Sequence, residues 1–362
     1  MKTALPERNL DVLRAVAVLL VLADHVFAAN GRATGPWNWN WAVGRLGVLL
    51  FFVHTSLVLM SSIERGGSAP GWPWRFYLRR AFRIYPLAIV IILVAAVLRL
   101  PPHVTSDGSD MARVFPSASA LVSNLLLVQN LTGVRDIQGV LWSLPLEVQM
   151  YLLLPLCFVV ARRGTREMLT MLAVFVALGF VLQSSLVERV PGLWRLSVFS
   201  FGPCFMGGVL AYHLLRRGVT PTLPEWTWPL VILSVAAGFA LLQPDGKHLQ
   251  LGWWPCLALG AMIPLVEQMR DSLATKFAHQ VAKYSYGIYL THVPILWVWL
   301  RAIPDLPTAV RWLGVAGSLV VVPVVLYRAI EHPMTNLGRR LAGDREVAIN
   351  KESRLAEQTA AP

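Results

Sequence analysis

Arg14 and His25 stand inside the first apolar stretch of the chain, which runs from Val12 to Ala28. On a helix, eleven steps rise about 16 Å and return almost to the starting face. One helix would thus carry a cation near one membrane face and an imidazole well across toward the other. A charged Arg at mid-membrane costs about 2.5 to 3.5 kcal/mol on insertion scales, so such a residue usually faces a partner or a cavity. Two roles are open to His25. Its ring can hydrogen-bond a neighbouring carbonyl, or, with an ordinary pKa of about 6.5, take a proton from a hydroxyl as a general base near neutrality.

Three further groups have the same character. In Leu141-Trp142-Ser143-Leu144-Pro145-Leu146-Glu147-Val148-Gln149-Met150-Tyr151, Pro145 is tolerable only in the first turn of a helix. Ser143, Glu147 and Tyr151 then recur at four-residue intervals on one face. Glu147 is expected near the depth of His25, where a carboxylate would orient the imidazole, hold a substrate hydroxyl, or simply pair with an arginine. The run Arg79-Arg80-Ala81-Phe82-Arg83-Ile84-Tyr85-Pro86 gathers guanidinium groups on the same membrane side as Arg14. Topology alone would explain some of these charges, but their geometry also suits bidentate binding of phosphate or pyrophosphate. In Tyr284-Ser285-Tyr286-Gly287-Ile288-Tyr289-Leu290-Thr291-His292, Ser285, Tyr289 and His292 form a polar stripe. His292 would bind substrate or pack against Pro294, and His54 is a further intramembrane imidazole open to either role.

The elements that must position these groups are membrane helices. The 362 residues are 56% hydrophobic and 14% charged, against roughly 25% charged in a soluble domain. Apolar runs near the 20 residues needed to cross a bilayer recur along the whole chain. The fold class expected is all-α, a polytopic bundle of about ten transmembrane helices. The run 119–131 is short and holds Ser123, Asn124, Gln129 and Asn130, so it reads as an interfacial or re-entrant piece. With that choice both termini share one side, most of the 32 Lys and Arg fall there, and the positive-inside rule makes that side cytoplasmic.

The net charge of +12 is accordingly a topology signal, with affinity for anionic lipid headgroups. No basic face with interleaved aromatics points to nucleic acid. Arg14, Asp24 and His25 would be odd occupants of a cleaved signal peptide, so the first helix is expected to be retained. Cys157, Cys204 and Cys256 sit singly in apolar segments and read as packing residues; no metal is expected. Residues 1–340 form one membrane domain and 341–362 a charged, cytoplasmic tail. Trp37, Trp39 and Trp41 read as an interfacial belt. No internal repeat of the inverted-repeat transporter kind is visible.

Together these stretches resemble the acyltransferase 3 family of integral membrane acyltransferases over roughly residues 9–340. The carriers are Asn9 to Ala15 leading to His25, Gly47 to Ser56 with its Phe51-Phe52 pair, Arg79 to Pro86, Trp142-Ser143-Leu144 with Glu147 and Tyr151, Tyr284 to His292, and Glu331-His332-Pro333. The resemblance implies transfer of an acyl group, usually acetyl from acetyl-CoA, to a hydroxyl of a surface polysaccharide or similar acceptor across the inner membrane. It makes Arg14 and His25 functionally required and involves the third-helix arginines with the donor. The expected site therefore has His25 and Glu147 as catalytic residues, Arg14, Arg79, Arg80 and Arg83 on the coenzyme A phosphates, and Ser143, Tyr151, Tyr289 and His292 on substrate. His25 would either deprotonate the acceptor or receive the acyl group first, with Glu147 setting its tautomer or holding the acceptor. Two departures from the family pattern bear on the acceptor: His54-Thr55-Ser56 follows the Phe pair, and Asp24 adjoins His25. The competing class is a transporter or flippase that uses the same buried groups without bond chemistry.

Overall fold

Backbone polar groups in lipid must be satisfied within their own segment, which drives long apolar runs into helices. The computed structural model describes residues 5–30, 39–66, 71–101, 103, 115–184, 189–242 and 252–343. Among them the secondary structure is helical, with one isolated bridge between Leu223 and Val266 and no strand. Trp37, the side chains of Trp39 and Trp41, and the tail from Asp344 onward lie outside the described residues.

The first three helices are α1 (Glu7–Ala29), α2 (Trp39–Gly66) and α3 (Trp72–Val97). Two short helices follow, α4 (Ala118–Leu125) and α5 (Gln129–Thr132), then a 3-10 turn, Gly139–Trp142, that leads into α6 (Ser143–Arg163). After α7 (Thr165–Val181) come α8 (Gly202–Arg216), α9 (Thr227–Leu242), α10 (Trp253–Met262), α11 (Leu273–Trp297), α12 (Thr308–Leu326) and α13 (His332–Leu341).

Six helical segments among the described residues are long and apolar enough to cross a membrane: Glu7–Ala29, Ala42–Gly66, Trp72–Val97, Gly139–Arg163, Leu193–Arg216 and Thr308–Leu341. This is fewer than the ten expected, and the shortfall has physical causes. The apolar helices Thr227–Leu242 and Trp253–Leu265 are short, and α7 has 17 residues, against about 20 for a perpendicular crossing. Helix α11 is 25 residues long but its first half carries Lys276, His279 and Lys283.

The segment 119–131 forms no long helix. Leu127 adopts a positive φ of 54° and separates α4 from α5, neither long enough to cross. Its polar residues fasten a ledge over the start of α6. The amide of Asn124 donates to the carbonyls of Ala120 and Arg135 (2.9 and 3.0 Å) and its oxygen accepts from the Ile137 N–H (3.0 Å). Gln129 donates to Asp136 (2.9 Å), and Asn130 and Gln149 exchange bonds at 2.8 and 3.3 Å. The ledge thereby fixes where Ser143 and Glu147 begin.

The core centres on α2, which packs against α1 and α8. Small residues allow that approach, as expected where van der Waals contact replaces hydrophobic driving force. A Cβ on Gly208 would overlap the Ser56 hydroxyl and the Val53 carbonyl, and one on Gly47 would strike the Ala17 carbonyl of α1. Cys157, Cys204 and Cys256 are buried free thiols in this core. Asn9 ties the start of α1 to the loop before α11: its amide donates to the Glu267 carbonyl (3.0 Å) and its oxygen accepts from the Met269 N–H (2.8 Å).

Candidate active site

Two helices that meet on α1 set the geometry. The Nε of Arg14 donates to the Ser285 hydroxyl at 2.7 Å, and that hydroxyl donates to the Ala282 carbonyl at 2.8 Å, so the guanidinium is held against α11. Around it lie three cavities whose walls Arg14 shares. The widest, about 490 Å³, is a mouth near the start of α1 that includes Arg80, Arg83, Lys283 and Arg339. The second, about 80 Å³, lies inward of it and is lined by Arg80, Arg83, His54, Glu147 and Tyr151. The third, about 60 Å³, shares Glu147 and Thr55 with the second and ends at Ser143, Phe51 and Tyr289.

Glu147 faces both inner cavities. It accepts a hydrogen bond from the Tyr151 hydroxyl one turn along α6, and the guanidinium groups of Arg14, Arg80 and Arg83 act on its charge. The expected face of Ser143, Glu147 and Tyr151 is therefore present and turned to the cavities. Ser143 pairs with Tyr289 across helices at 2.7 Å. Because the phenol proton goes to the Val140 carbonyl (2.6 Å), the serine must be the donor of that pair.

Arg83 is held by Glu331, whose side chain is 0% exposed while that of Arg83 is 23% exposed. Glu331 ends a π-helical turn, Tyr327–Glu331. Such turns insert an extra residue into a helix and recur at functional sites. Arg83 also lies over the Tyr286 ring, 5.7 Å from its centroid, and the Tyr286 hydroxyl donates to the Ile84 carbonyl at 2.8 Å.

His25 lies elsewhere. Its Nδ1 donates to the Val21 carbonyl on its own helix at 2.9 Å, which places the ring proton there and leaves Nε2 with a lone pair. Its ring meets that of His292 edge-on at 4.8 Å, and His292 in turn lies 6.1 Å from Tyr289. The Nδ1 of His292 is bound to the Ile288 carbonyl (3.0 Å), and its Nε2 is buried without a hydrogen-bond partner among the described residues.

The structure brings some of the expected site residues together and separates others. Glu147 sits at the level of Arg14, and the tautomer of His25 is set by the Val21 carbonyl instead. His25 does not line the three cavities; Tyr289 and His292 stand between it and them. Arg79 points to Gly66 at the end of α2, away from the cavity walls. Thr55, Tyr286 and Glu331, though within the motifs, were not among the expected site residues. Glu331 carried a usable signal, being a carboxylate at the end of an apolar span, whereas Tyr286 falls about 100° off the stripe formed by Ser285 and Tyr289. Among the described residues no three His, Cys, Asp or Glu gather to hold a metal ion.

The sequence profile of a family described as "Acyltransferase domain" matches residues 7–328. Among characterised proteins, the chain is 24% identical to nodulation protein 10 of Rhizobium leguminosarum bv. viciae, over 93% of this chain and 95% of that one. It is 25% identical to the peptidoglycan O-acetyltransferase OatA of Listeria monocytogenes, over 91% of this chain and 56% of that longer protein. It is also 25% identical to the acyltransferase MdmB of Streptomyces mycarofaciens, over 92% of each. No solved structure matches.

Proposed function

As the chain belongs to the acyltransferase 3 family, we propose that it moves an acetyl group from acetyl-CoA, bound at the Arg80 and Arg83 mouth, to a carbohydrate hydroxyl presented at the opposite face. The observation that carries this reading is the run of three cavities sharing Arg14, which leads from a cationic mouth to the uncharged pair Ser143 and Tyr289. Phosphates suit the first and a thioester the last. The O-acetyl chemistry in the name of the Listeria relative supports the choice of acyl group and of a glycan acceptor.

In the proposed reaction, Arg80 and Arg83 hold the donor diphosphate and Arg14 follows the arm inward. Glu147 keeps the guanidinium groups in place between turnovers and, with Ser143 and Tyr289, bounds the space in which the acetyl group rests. Turning of the Tyr289 and His292 rings joins that space to His25. The Nε2 lone pair of His25 takes the acceptor proton as the hydroxyl oxygen attacks the thioester carbonyl; the C–S bond breaks, and the thiolate of coenzyme A leaves and collects the proton. A well-placed base of this kind contributes about 10²- to 10⁴-fold in rate.

The remaining helices, α7, α9, α10 and α11, complete a ten-span bundle in this reading, with residues 1–340 as one membrane domain. Both termini then lie in the cytoplasm, so that the mouth meets the cytoplasmic coenzyme A pool and the basic loops lie inside. The test is purified protein in liposomes given acetyl-CoA labelled in the acetyl group, together with lipid-linked or soluble glycan fragments. Transfer of label to an acceptor ester, with release of one thiol per ester, is expected. Passage of an intact solute across the liposome without any thiol release would replace this reading with a transporter.

A further inference from the structure

The cations of the mouth fall into two sets. Arg14, Arg80 and Arg83 line the inner cavity as well as the mouth, whereas Lys283 and Arg339 line the mouth alone. Two of the inner set are committed inward, Arg14 to Ser285 and Arg83 to Glu331. The outer pair comes from two different helices. Lys283, two residues before Ser285 on α11, has its ammonium between two aromatic rings, 5.4 Å from the centroid of Tyr284 and 5.3 Å from that of Tyr327, which stand edge-on at 5.2 Å. Arg339 lies on α13, eight residues and about 12 Å of helix beyond the Glu331 that holds Arg83. Among the described residues neither outer cation has an acidic side chain within ion-pair distance, and Asp11, the one carboxylate lining the mouth, is bound to His279 at 2.7 Å.

Positive charge at two depths fits a ligand with two separate phosphate groups, one deep and one shallow. Coenzyme A has this form. Its diphosphate leads into the pantetheine arm, and a phosphomonoester on the ribose carries a further charge of about −1.5 to −2 at neutral pH, as other monoesters do. With the arm directed inward past Arg14, the diphosphate falls to Arg80 and Arg83 and the ribose is left in the mouth. We propose that Lys283 and Arg339 bind the 3′-phosphate of the donor and so select coenzyme A over donors that lack this group. The inference rests on the transferase reading above and adds to it the residues that recognise the far end of the donor.

The experiment compares acetyl-CoA with acetyl-dephospho-CoA, which differs only by the 3′-phosphate. Wild-type protein in liposomes is expected to favour acetyl-CoA by about 10- to 100-fold in kcat/KM, the worth of one or two hydrogen bonds to a charged group, and the difference should lie in KM. Lys283→Gln and Arg339→Gln should each weaken use of acetyl-CoA while leaving acetyl-dephospho-CoA unchanged, and the double variant should treat the two donors alike. Both side chains are exposed, so folding should be preserved, and equal kcat with acetyl-dephospho-CoA checks this directly. Equal use of both donors by wild type, or equal loss on both donors in the variants, would overturn the assignment. If activity instead follows the content of anionic lipid and the variants abolish that dependence without altering the donor ratio, the pair holds a lipid headgroup and the assignment is likewise wrong. Absence of transfer from either donor would overturn the transferase reading itself, and this inference with it.

Discussion

Replacing Glu331 by glutamine removes the charge that holds Arg83 but keeps the shape. The carboxylate is fully buried, and breaking such a pair by removing one partner typically costs about 3 to 5 kcal/mol, because the other charge is left uncompensated. Arg83 is 23% exposed and borders the mouth of about 490 Å³, so water offsets part of that penalty. The lower end, about 3 kcal/mol, is expected for the apo protein. Unfolding in detergent, followed by thermal melting, reads this as a lower midpoint than wild type. Coenzyme A should restore part of the loss, since a phosphate can take the place of the carboxylate. In transfer assays KM for the donor should rise by about tenfold, equivalent to about 1.4 kcal/mol of binding, with a smaller change in kcat. A variant with the wild-type midpoint and KM would show that Glu331 does not organise Arg83, and a midpoint that falls but does not respond to coenzyme A would detach the ion pair from the donor site.

Other outcomes follow from the same geometry. His25→Ala should lower kcat by about 10²- to 10⁴-fold with little change in donor KM, because His25 lies beyond the three donor cavities; stopped-time labelling of the acceptor reads both. Glu147→Gln should keep the Tyr151 contact but loosen Arg14 and Arg80, raising donor KM more than it lowers kcat, and equal loss of kcat and kcat/KM would assign Glu147 to the chemical step instead. Gly208→Ala should destabilise the bundle by about 1 to 3 kcal/mol through overpacking, visible as a lower melting midpoint, because the added methyl meets the Val53 carbonyl and Ser56.

Much of this arrangement is legible in the sequence. The four-residue repeat of Ser143, Glu147 and Tyr151 fixes a shared helical face regardless of tertiary context, and the structure turns that face to the cavities. The polar content of 119–131 likewise announces a segment that cannot cross a bilayer alone. Relative depth was harder. Whether Glu147 meets His25 or Arg14 depends on where α6 begins, and that is set by the Asn124, Gln129 and Asn130 ledge, a long-range feature without periodicity. Arg80 and Arg83 fall one turn apart and so share a face of α3, while Arg79, adjacent to Arg80, turns about 100° away from it, toward Gly66. The buried partner of Arg83 arises from a π-helical turn, whose extra residue shifts Glu331 out of the register that a regular helix would impose. Length and hydropathy mark six of the expected ten crossings among the described residues, because α7, α9 and α10 are short and α11 carries charge in its first half.

The account depends most on the acetyl group arriving from the Arg80 and Arg83 mouth and coming to rest beside Glu147, Ser143 and Tyr289. A structure of the protein with a non-transferable thioether analogue of acetyl-CoA tests this directly. The account predicts diphosphate density against Arg80 and Arg83, the arm running past Arg14, and the terminal carbonyl within reach of Tyr289. Diphosphate density at the His25 end, or density for the analogue outside the three cavities altogether, would contradict it.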